Sequence, residues 1–426
     1  MNLTTKSLLL AAGCMAFVAC SNQSQQTTTT VSTTNDTVAQ TGTGTAGQSQ
    51  MGLEPVESKN RITDFQPAFE GQTRAPGMKS SFDVQVNKLA GNLNKPWAII
   101  ELPDGNFLIT QKGGDMVIFG KDGSKMSDIA GFPKVDDAGQ GGMLDVVLDP
   151  SFAQNNTIYW SFSEPYQNGN LTAVAKGVLN RENNRIDNPT VIYRAIPAYD
   201  GDKHYGSRLV FDKDGLLYVG TGERSDKVTR PQAQQLNSAN GKVLRITKDG
   251  KPANGNPQFS DANALPEIYS YGHRNIQGMA FHPTTGELWV GEFGPKGGDE
   301  INLVKAGKDY GWPTITYGIE YSGDKVGAGI TQQEGMEQPV YYWDPAISFS
   351  GMDFYTHDAI PEWKNDLFLA CLATNHIARV KIENNRVIAE ERLATDQRER
   401  FRDVLAASDG SLYAVTDGGS LYRIGR

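Results

Sequence analysis

Two segments of the chain gather the residue types that chemistry needs. Tyr271 to Gly278 reads Tyr-Gly-His-Arg-Asn-Ile-Gln-Gly, and Gly291 to Glu300 reads Gly-Glu-Phe-Gly-Pro-Lys-Gly-Gly-Asp-Glu. Gly294 and Pro295 break the strand expected to end at Val290 and can expose backbone carbonyls. Hard cations such as calcium take carbonyl and carboxylate oxygens, and Asp299 and Glu300 stand close enough in sequence to contribute. The plainer reading of the same residues is a long polar loop with turn glycines. His204 lies in Asp202-Lys203-His204-Tyr205-Gly206-Ser207-Arg208-Leu209, a polar loop just before an apolar run. An imidazole there can be presented as a general base. The other histidines, His273, His282, His357 and His376, form no HxxxH spacing, so a histidine zinc site is not expected. His282 and His357 fall in expected turns, and His376 in a loop after a strand.

Arg400 and Arg402 alternate with Phe401 and share one face if the segment is extended. Two guanidiniums on one face can clamp a polycarboxylate or a phosphate. A surface salt-bridge ladder with Glu399 and Asp403 is the alternative. No GxGxxG or P-loop opens a helix, and Gly139-Gln140-Gly141-Gly142 lacks the Lys-Ser/Thr end of a Walker motif. No Gly-x-Ser-x-Gly elbow occurs either.

The elements that must position these residues are strands. From about residue 82 a turn rich in Asp, Asn or Gly leads repeatedly into an apolar–aromatic–apolar core. The copies centre on Leu108-Ile109-Thr110, Ile158-Tyr159-Trp160, Leu217-Tyr218-Val219, Leu288-Trp289-Val290, Leu367-Phe368-Leu369 and Leu412-Tyr413-Ala414. The first lacks the central aromatic and has Phe107 just before it. Centre-to-centre spacings of 50, 59, 71, 79 and 45 residues each leave room for a four-stranded sheet. Long amphipathic helical stretches are missing, which argues against βαβ units. Repeated β units that bury their faces only against neighbours indicate a radial repeat. The expected fold is therefore all-β, a six-bladed propeller of four-stranded antiparallel blades over residues 81–426. A β-sandwich with decorated loops is the alternative. Phe82 to Val86 and Leu421 to Ile424 are expected to share a blade and fasten the ring. A ligand site over the central channel would draw its residues from several blades.

These motifs resemble the quinoprotein soluble aldose sugar dehydrogenases, and more distantly the soluble glucose and sorbosone dehydrogenase-like proteins. The likeness runs from Leu93-Asn94-Lys95-Pro96-Trp97-Ala98 to Leu421 and is most specific from Tyr271 to Pro313. It also takes in Gly139 to Asp145, His204 with Ser207-Arg208-Leu209, and Arg400 to Val404. The resemblance implies a six-bladed propeller that oxidises the C1 hydroxyl of aldoses with pyrroloquinoline quinone (PQQ) and calcium. It implies His204 as the base that takes the hydroxyl proton, and Gly294 and Pro295 as carbonyl donors to the calcium that also binds PQQ. Arg274 would stabilise charge on the quinone oxygen, Asn275 and Gln140 would hydrogen-bond the cofactor, and Arg400 and Arg402 would pair with its carboxylates. Glu300 and Tyr310 resemble ligands of a second, structural calcium.

Two departures follow from the same resemblance. Where the family carries a lysine against PQQ, this chain has Ala373, for which Lys381 or Arg379 would have to compensate. Lys203 stands before the base where glucose-type members have an acid, so a cation would depress the histidine, with Asp202 or Asp145 left to orient it. A catalytically silent propeller that binds carbohydrate or a protein partner is the competing class, favoured by Ala373. A calcium-dependent lactonase would need converging carboxylates, where this sequence offers arginines.

The rest of the chain addresses the domain. Met1 to Cys20 carries one charge, Lys6, before the apolar run Leu8 to Val18, which is too short to span a bilayer. It ends Phe17-Val18-Ala19-Cys20-Ser21, which resembles a bacterial lipobox and favours Cys20 over Cys14 for lipid, with ordinary signal cleavage near Ala19 as the alternative. Ser21 after the cysteine points to the outer membrane, facing the periplasm. Residues 21–50 hold ten threonines, six glutamines, four serines and one charge, so 21–80 is expected to be a disordered tether, with 51–80 transitional. Cys371 is then the one free thiol and is expected to be buried. The net charge of -9 becomes -10 without Lys6, which excludes nucleic acid as the main partner. The expected partners are an aldose and a quinone or cytochrome acceptor, with membrane contact only through the lipid and the protein a monomer.

Overall fold

The second strand of each blade explains the repeat. In the computed structural model, which describes residues 47–426, the six cores fall on Phe107–Gln111, Thr157–Tyr166, Leu217–Thr221, Leu288–Glu292, Leu367–Cys371 and Leu412–Thr416. Each is the second strand of a four-strand run in its sheet. Successive side chains of a strand point to opposite faces, and here both faces are covered. Tyr218 packs toward the following blade with Val243, Ile276 and Val290, while Leu217 and Val219 pack toward the preceding one with Tyr159 and Val174. Trp289, Phe368 and Tyr413 repeat the arrangement in their own blades. A strand buried on both faces needs a continuous apolar run, and the bulky centre fills the wedge toward the next blade.

The first copy is corrected by this geometry. Leu108 faces the second blade, whereas Phe107 and Ile109 face the last one. Its core is therefore Phe107-Leu108-Ile109, one residue earlier than the aromatic pattern placed it. A one-residue shift reverses every side chain, and here the Asp104-Gly105 turn sets the register.

The first strands of the six blades, Pro96–Glu101, Met143–Leu148, Gly206–Phe211, Ile276–Phe281, Phe349–Phe354 and Phe401–Ala406, touch one another in a closed cycle. Gln85–Ala90, which begins three residues later than the expected Phe82 to Val86, closes the ring by pairing antiparallel with Leu421–Gly425 in the sixth blade. The ring is a six-bladed propeller, and the hydrophobic core is divided into clusters between neighbouring blades. Arg208 crosses the channel between Asp145 of the second blade (2.9 Å) and Asp403 of the sixth (3.3 Å). It stacks 4.5 Å over Trp97 and donates to the Gln277 carbonyl.

The expectation of a disordered tether through residue 80 is corrected over its last part. Gln50–Leu53 and Gly77–Lys79 pair antiparallel, and Gly77 pairs with Glu390, so both strands extend the fifth blade to six. Polar side chains do the anchoring: Ser80 donates to Glu391, Ile62 and Thr63 donate to Asp344, and Arg392 pairs with Glu57. The partners lie some 280–335 residues away in sequence, which is why local composition did not announce them. The signal, the two cysteines Cys14 and Cys20, and tether residues 21–46 lie outside the described residues. Cys371 is fully buried, and burial pushes its thiol up.

Candidate active site

A pocket of about 540 Å³ opens on the face where second strands run into third ones. His204, Gln140, Arg274, Gly294, Arg400 and Arg402 all line it, although they come from four blades. His204 ends the loop that enters the third blade, with a left-handed backbone (φ 48°) that few non-glycine residues adopt. The surroundings hold it there. Its N–H donates to Gln140 Oε1 (2.9 Å), and the Arg224 N–H donates to its carbonyl (3.3 Å). Gly206 follows at φ 66°, where a Cβ would collide with the Thr221 backbone. Buried Arg224 clamps the loop through Lys203, Asn170 and Gly201 and stacks 4.1 Å over Tyr205.

The imidazole Nδ1 sits 3.0 Å from Glu223 Oε2. Neither Asp202 nor Asp145 orients the ring; Asp145 is committed to Arg208 and the Leu209 N–H. The carboxylate accepts the proton on Nδ1 and leaves Nε2 with its lone pair. Burial, then the Arg274 guanidinium, depress the His204 pKa below its ordinary value, against the pull of Glu223. Lys203, expected to do this, is instead 3.8 Å from Asp202. Burial raises Glu223, but His204 and Arg274 outweigh it, and its carboxyl stays below the usual range.

Glu223 was not singled out from sequence, yet a signal was present. His204 and Glu223 are 19 residues apart, as are His273 and Glu292, which form the same Nδ1–carboxylate pair (2.9 Å) one blade on. In each pair the histidine enters the first strand and the glutamate stands at or just beyond the end of the second.

Arg274 is buried beside these pairs. Its N–H donates to Glu292 (2.6 Å), its Nη1 donates to the carbonyls of Phe293 (3.0 Å) and Gly294 (2.7 Å), and Trp312 lies under the guanidinium. Two carbonyl oxygens thus converge on one positive nitrogen. The second is Phe293, not Pro295, which lies outside the pocket wall with its ring against Gly318. Asn275 is also behind the wall; its Oδ1 accepts the Gly206 N–H, and its Nδ2 has no protein partner among the described residues.

Glu300 and Tyr310 do not reach the main pocket. They border a separate void of about 10 Å³, the size of one water, with Glu292, Gly294 and Arg274. Glu300 faces Glu292 directly across the strand pair. Burial, then the Glu292 charge, push its carboxyl well above the usual range. The Tyr310 hydroxyl is engaged, donating to Leu303 and accepting from the Lys305 N–H. Among the described residues no three His, Cys, Asp or Glu side chains gather as a metal cluster.

Arg400 and Arg402 share a face as expected, but neither pairs with Glu399 or Asp403. Both bind Asp417, at 2.9 and 2.8 Å. Burial raises Asp417, yet Arg402 and Arg400 hold it below the usual range. Glu399 points instead to Thr416, Ser420 and Tyr422. Arg379 and Lys381 cannot replace a lysine at Ala373. Arg379 is fully buried against Asp366 and Glu391, and Lys381 joins Asp366. Lys95 and Lys112, in contrast, line the pocket. His376 opens the strand His376–Glu383 rather than sitting in a loop, and burial lowers its pKa to about 3.

A family model described as glucose/sorbosone dehydrogenase matches residues 93–423. The chain belongs to that family. Aldose sugar dehydrogenase YliI of Escherichia coli is 40% identical over 340 residues, covering 79% of this chain and 91% of that protein. Quinoprotein glucose dehydrogenase B of Acinetobacter calcoaceticus is 26% identical over 422 residues, covering 80% and 87%. The PQQ-bound structure of an aldose sugar dehydrogenase from Streptomyces coelicolor superposes with a TM-score of 0.67 at 27% identity, over 80% of this chain and 98% of that one. As a glucose/sorbosone dehydrogenase family member, this chain has every lining residue of its pocket inside the matched segment. The strap of residues 50–80 lies before it.

Proposed function

We propose that the protein oxidises the C1 hydroxyl of aldose sugars to the lactone, using PQQ and calcium. The observation that carries this reading is the buried His204–Glu223 pair opening on a pocket walled by Arg274, Arg400 and Arg402. The residues present suit both groups. Arg400 and Arg402 share a single carboxylate, so their charge exceeds what Asp417 neutralises, as a polycarboxylate requires. Arg274 Nε and Asn275 Nδ2 are buried donors without partners among the described residues, and two carbonyls already converge on a cation. Carbonyl oxygen is what calcium takes. When bound, PQQ would supply a hydride acceptor and calcium a Lewis acid.

The chain's own groups do the rest. His204 Nε2 accepts the C1 hydroxyl proton as hydride leaves C1, and ionised Glu223 stabilises the imidazolium. Gln140 offers its Nε2 to the cofactor, since Oε1 holds the His204 N–H. Arg274 stabilises negative charge on oxygen at the pocket floor. Lys95 supplies the ammonium that Ala373 does not: its turn joins Gly419, two residues from Asp417, and its Nζ has no protein partner among the described residues. Glu300, with Glu292 and the Tyr310 backbone, suits a second cation that would relieve their repulsion.

A catalytically silent propeller is the second reading, favoured by Ala373 and by the guanidinium seated on the Gly294 carbonyl. Dye-linked oxidation by protein reconstituted with PQQ and calcium separates the two over a panel of aldoses. Activity with at least one aldose is expected, and none with any would move the protein to the silent class.

For its place in the cell, we propose export under residues 1–20, lipid on Cys20 and an outer-membrane position facing the periplasm. There it would work as a tethered monomer that passes electrons to a quinone or cytochrome. The Phe17 to Ser21 pattern supports the anchor. Incorporation of a labelled fatty acid should vanish in Cys20→Ser, and persistence would exclude that site.

A further inference from the structure

Tyr321 is anomalous. It is 75% exposed, it lines the pocket, and it is the single aromatic among the exposed large hydrophobic residues in the described region. Among the described residues its ring has no aromatic, cationic or hydrogen-bond partner. Yet the backbone beneath it is braced from two sides. Arg230 grips Glu320 through both carboxylate oxygens (2.5 and 3.3 Å). Ile319 exchanges two backbone hydrogen bonds with Lys296, in the loop that carries Gly294. A tight turn closes over it, with Gly323 donating to Glu320 and Glu320 to Asp324. A rigid platform therefore holds an unpartnered ring over the mouth of the site.

Phe293 is half-buried in the wall, and two other aromatic faces there are occupied. Arg208 covers Trp97 and Arg224 covers Tyr205. The groups suited to a polycarboxylate, Gln140, Arg274, Arg400 and Arg402, belong to the floor and walls, whereas Tyr321 stands at the open end. A flat ring that is apolar on its faces and polar at its tip complements a pyranose, which has a C–H face and a hydroxylated rim.

We propose that Tyr321 is a substrate-binding residue, whose ring covers the face of the aldose while C1 is held at His204. This rests on the aldose dehydrogenase reading above. The ring orders substrate without touching the reacting atoms, so its contribution is equal before and during the reaction and appears in KM.

The test uses full-length protein loaded with PQQ and calcium, comparing wild type with Tyr321→Ala, Tyr321→Phe and, as control, Val228→Ser. Val228 is equally exposed but lies outside the pocket. Tyr321→Ala should raise the aldose KM roughly 2- to 12-fold with kcat within about twofold. Its PQQ dissociation constant, read by absorbance titration, should match wild type. Tyr321→Phe should keep the wild-type KM, and Val228→Ser should change nothing. An unchanged KM in Tyr321→Ala, or weakened PQQ binding instead, overturns the proposal while leaving the enzyme reading intact. A loaded wild type that oxidises no aldose overturns that reading and this proposal with it.

Discussion

At the scale of single residues the account turns on His204, whose lone pair is available at neutral pH because burial and Arg274 depress its pKa. A depressed base stays neutral until the pH falls through its own pKa, so activity should hold down through pH 6.5 and fail only below it. Glu223 pulls the other way, raising His204 while fixing its tautomer. Glu223→Gln should therefore lower kcat by about 10²- to 10⁴-fold and move the acidic limb of the pH profile to lower pH. A pH–rate profile of the variant checks both. An unchanged limb would mean that the carboxylate does not act on the imidazole.

At the scale of elements, the strap of residues 50–80 is the part that composition concealed. Its anchors are ion pairs and capped carboxylates on the fifth blade, with Arg379 at their centre between Asp366, Glu391 and Ser80. Removing one partner of a buried pair leaves the other uncompensated, at about 3–5 kcal/mol. Glu391→Ala should accordingly lower the thermal midpoint by several degrees, because Arg379 then lacks one counter-charge. Differential scanning calorimetry of that variant reads the effect, and an unchanged midpoint would show the strap to be ornamental. Leu217-Tyr218-Val219 is legible because its burial on both faces demands an apolar run within five residues. Ser80 and Glu391 are 311 residues apart, and nothing local in either reports the other. The site divides in the same way. Arg400, Arg402 and His204 stood out by residue type. Glu223, Asp417 and Phe293 stand just after the second strand of their blades, 15–19 residues from the groups they serve, and only the antiparallel pairing of first and second strands brings them there, while Pro295 and Asn275 fall behind the wall.

At the scale of the whole molecule, the ring is fastened twice: at its rim by Gln85–Ala90 against Leu421–Gly425, and across its channel by Arg208. Burial raises Asp145 to about 6, opposed by Arg208 and aided by the Asp403 charge. A carboxyl whose folded pKa exceeds its unfolded value binds more protons when folded, so its contribution to stability falls as pH rises between the two. Arg208→Met takes away the opposing charge, so the variant should lose about 3–5 kcal/mol near pH 7. The gap should narrow near pH 4, where Asp145 is protonated in the fold. Urea unfolding at the two pH values measures it, and an equal deficit at both would assign the loss to packing alone.

The central claim, that this propeller removes a proton and a hydride from an aldose, is tested most directly by one absorbance experiment. Full-length protein and its His204→Ala variant are each loaded with one equivalent of PQQ and excess calcium, then mixed with an aldose in the absence of dye. Both proteins should bind the cofactor, its spectrum should convert to the reduced form in the wild type, and conversion in the variant should slow by at least about 10²-fold. Equal conversion in the two proteins would contradict the role of His204. Failure of the wild type to bind PQQ at micromolar concentration would contradict the account as a whole.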